Sequence, residues 1–217
     1  MKAFIVYAHP EPRSFCGALK DVALATLAAE GHEAVLSDLY GEGFNPVAGR
    51  HDFAYEHDPE LFHYQREQMH AAGTASFSPE LARDQERLFW CDLLLFIFPL
   101  WWTSVPAILK GWCDRVLAFG VAYRDGLRFE SGLLKGRSGL ACVTTGGTPE
   151  RFSEGGVYGP IGPILEPVNR GVFEYLGMAA LPPFVAYAAP RVEDAERHRY
   201  LADWANYLRE LQTGDRK

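Results

Sequence analysis

The chain has 217 residues, enough for one domain that buries a sizeable core, and its 48% hydrophobic and 23% charged residues are ordinary for a globular protein. A formal net charge of −7 excludes a phosphate-tracking nucleic-acid protein and leaves no polybasic patch for a membrane surface. No segment approaches the roughly 20 apolar residues of a membrane span, and the opening apolar run is too short for a signal peptide, so a cytoplasmic protein is expected.

Taken in chain order, Ala3–Ala8 is a continuous apolar run stopped by His9-Pro10-Glu11-Pro12. Continuous apolarity predicts a strand buried on both faces. Phe15, Leu19, Val22, Ala23 and Leu27 then share one face of a predicted helix, with Gly31 as its stop. A weak strand follows around Ala34–Leu36. Tyr40–Phe77 is a long excursion, rich in aromatics and histidines and only weakly periodic; such loops are usually functional or lie in an interface.

Leu93–Phe98 is the second buried strand. Val105, Ile108, Leu109, Trp112 and Val116 predict a helix, with Ser104 as N-cap and Pro106 in the first turn. Phe119–Arg137 is a shorter, glycine-punctuated excursion. Gly139–Val143 is the third buried strand, Phe184–Ala189 a less β-branched candidate, and a last helix runs from about Val192 to Leu211. The alternation predicts an α/β fold: a flavodoxin-like, doubly wound, five-stranded parallel sheet in the order 2-1-3-4-5 with helices on both faces. Without repeats or linkers, residues 1–217 read as a single domain with insertions at about 40–77 and 119–137. Cys16, Cys91, Cys113 and Cys142 show no paired spacing, so reduced thiols are expected rather than disulfides, and no metal site.

Ligands of open α/β sheets bind beyond the carboxyl ends of the strands, and three ends here are unusual. In "HPEPRSFCGAL" Ser14 opens a helix whose amides suit a phosphate, although Ser14 could simply cap the helix and His9 satisfy a turn. In "FPLWWTSVPAILKGWCDRV" two adjacent tryptophans leave the sheet; both cannot enter one core from a strand, so one is free to flank a flat ligand. In "VTTGGTPERFSEGGVYG" threonine hydroxyls and the amides of Gly146 and Gly147 can meet a planar polar heterocycle, or form an ordinary glycine turn. Together the three ends answer the needs of a flavin. Neither G-x-G-x-x-G nor G-x-x-x-x-G-K-[ST] is present.

"AHPEPRSF", "SDLYGEGFNPV", "FPLWWTSVPAILKGW" and "TTGG", in this order, resemble the NAD(P)H:quinone oxidoreductases of the DT-diaphorase type, a flavodoxin-like flavoprotein family. The resemblance runs from Lys2 to about Arg209. It implies a homodimer with active sites between subunits, FAD rather than FMN, and two-electron ping-pong hydride transfer from NADH or NADPH to a quinone-like acceptor. It places His9, Ser14, Phe15 and Cys16 at the flavin phosphates and ribityl chain, and Pro99, Leu100, Trp101, Trp102 and Thr103 along the isoalloxazine. Thr144, Thr145, Gly146 and Gly147 fall at its polar edge, and Ala189 and Arg197 near the adenosine phosphates. Tyr123 matches an aromatic that closes the substrate pocket with Trp102, Phe152 and Tyr158. Asp125 stands where some members have a second tyrosine, and a C-terminal extension found in some members is lacking here. Where mammalian members carry a tyrosine and a histidine, this chain has Phe152 and Tyr158, so the amides of Gly146 and Gly147 are expected to carry most of the charge stabilisation, with Tyr158 as a hydrogen-bonding group. Two other roles remain open for such a fold: a redox-sensing regulatory subunit of a potassium-efflux transporter, and a flavodoxin-like electron carrier.

Overall fold

A computed structural model describes residues 1–211; residues 212–217, the end of the expected domain, lie outside the described residues. Strands β1 (Lys2–Tyr7), β2 (Glu33–Asp38), β3 (Leu93–Pro99), β4 (Ser138–Thr144), β5 (Ala179–Ala180) and β6 (Phe184–Ala186) form one parallel sheet. Its order is β2-β1-β3-β4-β5, with β6 also paired to β4. The expected 2-1-3-4-5 arrangement is therefore present, but the fifth position is split. Pro182 and Pro183 lie between its two pieces and have no N–H to give the ladder. The strand expected over Phe184–Ala189 ends at Ala186, where the chain turns through a left-handed Ala188.

Helices α1 (Phe15–Ala29), α2 (Tyr64–Thr74), α3 (Pro79–Trp90), α4 (Ala107–Val116), α5 (Ile161–Val168) and α6 (Asp194–Glu210) cover the sheet. Two separate cores result, as burial on both faces requires. Ile5, Tyr7, Ile97 and Cys142 face α1 and α6, meeting Leu19, Leu27, Trp204 and Leu208. Phe4, Val6, Phe96, Phe98 and Val143 face α3 and α4, meeting Leu81, Leu88, Leu109 and Trp112. Helix α4 starts later than expected, with Pro106 as its N-cap. Ser104 is instead engaged in a tight turn with Trp101. Helix α3 and helix α5, which runs on into a π-helical turn over Asn169–Glu174, were not expected from apolar periodicity.

The Tyr40–Phe77 excursion is a folded appendage of the α3/α4 face. Phe44, Phe53, Ala71 and Phe77 enter that core. Its polar anchor is Asp52, fully buried in a 3₁₀ turn. The Arg115 guanidinium, from α4, donates to Asp52 Oδ1 through Nε at 2.9 Å and lies 2.7 Å from it through Nη2. Tyr64 Oη donates to Asp52 Oδ2 at 2.6 Å and the Gly49 amide at 3.2 Å. A second buried carboxylate, Asp84, accepts from Ser37 Oγ at 2.9 Å and from Trp112 Nε1 at 2.8 Å, tying β2, α3 and α4 together.

Removing one partner of a buried ion pair strands the other charge in the interior, which costs about 3–5 kcal/mol. Arg115→Met is expected to destabilise the protein by about that amount. Urea denaturation followed by far-ultraviolet circular dichroism checks it; a loss below about 1 kcal/mol would mean that Asp52 is satisfied without the arginine.

Candidate functional site

The carboxyl ends of β1, β3, β4 and β6 converge, and the loops that leave them build one mouth. Ser14 opens α1: its Oγ accepts from the Gly17 amide at 3.1 Å. The Phe15 and Cys16 amides find no acceptor among the described residues, as the first turn of a helix leaves them. Residues 9–14 fold back over that turn so closely that a Cβ on Gly17 would stand 2.0 Å from the Pro12 carbonyl oxygen. His9 Nδ1 lies 3.0 Å from the Glu11 amide and 3.1 Å from the Glu11 carbonyl oxygen, so the ring is held against the turn at Glu11. Burial lowers the His9 pKa from its ordinary value, against the Glu11 contacts that raise it, and so favours the neutral ring.

The β3 end is the most exposed part of the mouth. Trp101 and Ser104 close a turn through two backbone hydrogen bonds of 3.1 and 2.9 Å, and both central residues are left-handed, Trp102 at φ 51° and Thr103 at φ 56°. Bulky and β-branched residues adopt this conformation only under strain, which concentrates at ligand sites. Neither tryptophan enters the core: Trp101 is 42% exposed and Trp102 98% exposed. Trp101 stands 6.2 Å from the His9 ring, which joins the β3 and β1 ends. Pro99 closes β3, and the Leu100 amide donates to the Thr144 carbonyl at 2.8 Å.

The β4 end departs from expectation. Thr144 and Thr145 do not present hydroxyls to solvent; both are buried. Thr144 Oγ1 lies 3.1 Å from Cys16 Sγ, and Thr145 Oγ1 donates to the Gly147 carbonyl at 2.8 Å. These contacts hold the loop against α1 and against the turn after β6, where the Ala188 amide donates to the Gly147 carbonyl at 2.8 Å. Nothing among the described residues accepts from the Gly146 or Gly147 amide. Hydroxyls fix the loop and amides are left for a ligand.

Phe152 and Tyr158 pack at 5.0 Å over Gly147, and a Cβ there would stand 2.9 Å from Phe152 Cε2 and 3.1 Å from Tyr158 Cε2. A side chain at Gly147 therefore strikes these rings first. Phe152 is buried against Tyr187 at 5.9 Å, and Tyr158 is 46% exposed. Ala189 donates to the Thr145 carbonyl at 3.1 Å. Arg197 is occupied: it bonds the Asp194 carboxylate and the carbonyls of Ala189 and Val192. Tyr123 is not at this mouth. It lines a separate cavity of about 600 Å³ on the α4 side, with Tyr64, Gln65, Ser104, Val105 and Tyr175. Asp125 is exposed and pairs with Arg128 at 3.0 Å.

A family model described as having a flavodoxin-like fold matches residues 1–208. The chain is 40% identical to the ribosyldihydronicotinamide dehydrogenase (quinone) of Pongo abelii, over 97% of this chain and 91% of the relative. It is 38% identical to NAD(P)H dehydrogenase (quinone) 1 of Rattus norvegicus, over 95% of this chain and 76% of the relative. The chain belongs to this flavodoxin-like quinone dehydrogenase family. A solved Klebsiella pneumoniae structure, provisionally named a quinone reductase, superposes with a TM-score of 0.93 at 36% identity, over 97% of this chain and 85% of that one. The family architecture accounts for the parallel sheet and its open carboxyl edge.

Sequence reasoning missed Arg191. Its guanidinium donates to the Gly146 carbonyl from the turn after Ala188, and only the folded turn brings it there. It also missed how inert the thiols are. Burial pushes Cys16, Cys91 and Cys113 up to about 12, and Cys142 well above its ordinary value. At pH 8 a thiol with a pKa near 12 is thiolate to only about one part in ten thousand. In native protein the buried Cys16, Cys91 and Cys142 are therefore expected to resist iodoacetamide at pH 8, leaving at most one slow label at the half-buried Cys113, whereas protein in denaturant takes up four labels, one per cysteine. Intact-mass spectrometry reads this directly, and rapid labelling of the native chain would show that a thiol is more open than its packing implies.

Proposed function

We propose that this chain is a flavin-dependent NAD(P)H:quinone oxidoreductase that transfers two electrons as hydride, with donor and acceptor using one place in turn. The observation that carries the reading is the pair of unspent amides at Gly146 and Gly147, set at the same sheet edge as the exposed Trp102. Edge-on donors beside apolar ring surface fit a tricyclic heterocycle with one polar edge. The family relatives named as quinone dehydrogenases support the reaction class.

The flavin supplies the hydride chemistry, and the chain's own groups bind, orient and shield it. The α1 amides of Phe15 and Cys16, with Ser14 and His9, receive a phosphate and the ribityl chain. Pro99, Leu100, Trp101, Trp102 and Thr103 form the wall along the ring. The Gly146 and Gly147 amides hold negative charge at its polar edge without moving a proton, as donors of an oxyanion hole do. Thr144 and Thr145 keep those amides in place. Tyr158 supplies an exposed hydroxyl to the substrate side, and Phe152 backs it as an apolar surface.

We propose FAD as the flavin and a homodimer as the working form, and the two stand together. Arg197 and Ala189 lie on the α1/α6 side, whereas the Tyr40–Phe77 excursion packs on the α3/α4 side. A second copy would let the excursion reach an adenosine half held near Arg197 and Ala189. A second copy would likewise bring Tyr123, which lines the cavity on the α4 side, to Phe152 and Tyr158, as the family resemblance implies. A cytoplasmic setting agrees with the mouth's open access to a diffusing nicotinamide.

Purified protein is expected to be yellow, to release FAD on heating, and to scatter light as about twice 24.2 kDa. Colourless protein that takes up neither FAD nor FMN would refute the function. A pure FMN peak would refute only the FAD assignment, and active flavin-loaded monomer only the dimer.

Tyr158→Phe removes one neutral hydrogen bond, worth about 0.5–1.5 kcal/mol, so hydride transfer from NADH or NADPH is expected to slow some two- to twelvefold. Stopped-flow reduction of the flavin measures this; a loss of several hundredfold with flavin retained would make Tyr158 a proton donor.

A further inference from the structure

We infer that Arg191 reads a negative charge on the second substrate, so that this mouth favours aromatic acceptors bearing a sulfonate or carboxylate over neutral ones of the same ring system. The inference rests on the quinone-reductase reading of the mouth and names the acceptor class within it.

Position comes first. The turn that carries Arg191 is stitched at two points: the Ala188 amide donates to the Gly147 carbonyl at 2.8 Å, and the Arg191 amide to the Ala188 carbonyl at 2.7 Å. Ala188 is left-handed at φ 49°, which directs the chain back toward the β4 loop. The guanidinium then grips the Gly146 carbonyl, and a Cβ on Gly146 would meet its Nη1 at 3.1 Å. The cation is thereby fixed at the edge of the mouth.

Charge comes next. Arg13, Arg128, Arg170, Arg197 and Arg199 are each matched by a nearby Asp or Glu, but no carboxylate lies within ion-pair distance of Arg191 among the described residues. Its bond to the Gly146 carbonyl uses one donor, and its other N–H groups have no acceptor among the described residues. In a chain of net charge −7, an exposed, anchored arginine without a counter-ion draws an anion from solution. Guanidinium offers a planar fork that meets a sulfonate or carboxylate through paired hydrogen bonds. The Phe152 and Tyr158 rings stand over Gly147, the next residue along, and can hold an aromatic body while its charged substituent meets Arg191.

The test uses the full flavin-loaded protein and two acceptors that differ in one group, naphthoquinone and its ring sulfonate. Arg191→Gln is expected to lower the sulfonate-to-neutral ratio of kcat/KM about tenfold, the usual weight of one charge-assisted contact. Arg191→Lys should recover part of that ratio, and high salt should lower it in the native protein. Naphthalene sulfonate, which accepts no hydride, supplies a second readout: calorimetry should show about tenfold weaker binding to Arg191→Gln. A ratio within about twofold of native, or unchanged naphthalene sulfonate binding, overturns the inference. Equal losses for both acceptors also overturn it, placing Arg191 at the flavin or in the loop's scaffold. If the native protein reduces no quinone at all, the proposed function fails, and naphthalene sulfonate binding still decides the role of Arg191.

Discussion

Burial of β1, β3 and β4 on both faces is the constraint from which the rest of the structure follows. Every residue of β3 and all but the first of β4 is buried, so neither strand can carry an accessible polar group along its length. Backbone ladders consume the amides inside the sheet, and two apolar cores consume the side chains. Chemistry is displaced to the carboxyl edge, where the ladders stop and amides become free. Parallel pairing brings those ends to one side, so His9 meets Trp101 and Leu100 bonds Thr144 although they are far apart in sequence. The mouth is what a doubly covered parallel sheet leaves over.

This also explains what could be read from the residues. Continuous apolar runs such as Leu93–Phe98 are unmistakable because double burial leaves no alternation, and Ser14 is legible because a cap is local. Helix α3 was not, because it packs by a mixed face: Asp84 and Gln85 are buried beside Leu81 and Leu88. Asp84 is spent on Ser37, Trp112 and two arginines, so a polar residue occupies a core position that periodicity assigns to an apolar one. The same limit hid the Asp52–Arg115 pair, which spans 63 residues. Nothing local marks either residue as buried. The split fifth strand failed in the opposite way: its apolar residues were visible, and Pro182-Pro183 carried the information that divided it.

At the site, residue types were legible and orientations were not. Thr144-Thr145-Gly146-Gly147 marks a functional loop, but which groups face the ligand depends on its surroundings. Cys16 and the turn after β6 draw both hydroxyls inward, and the Gly146 and Gly147 amides are left without a partner among the described residues. Trp101 and Trp102 were expected to divide between core and ligand. The left-handed pair at Trp102 and Thr103 turns both outward, at a cost in backbone strain that the hydrogen bonds between Trp101 and Ser104 offset.

The electrostatics of the mouth then follow from what the chain does not use. Burial disfavours a charge on His9 and pushes the Cys16 thiol up to about 12, and Phe152 has no donor. A relay that moves protons needs a group titrating near neutrality, and residues 145–160 include no histidine. Fixed dipoles and a fixed cation need no such group. The Thr145 hydroxyl bonds the Gly147 carbonyl, and Arg191 bonds the Gly146 carbonyl, so donors and cation share one loop. Charge that develops at such a loop is stabilised by groups already in place, with no reorganisation and little dependence on pH between about 7 and 9. Preorganisation of this kind also ties acceptor choice to the cofactor edge, because the carbonyl that seats Arg191 belongs to Gly146, whose own amide is left without a partner among the described residues.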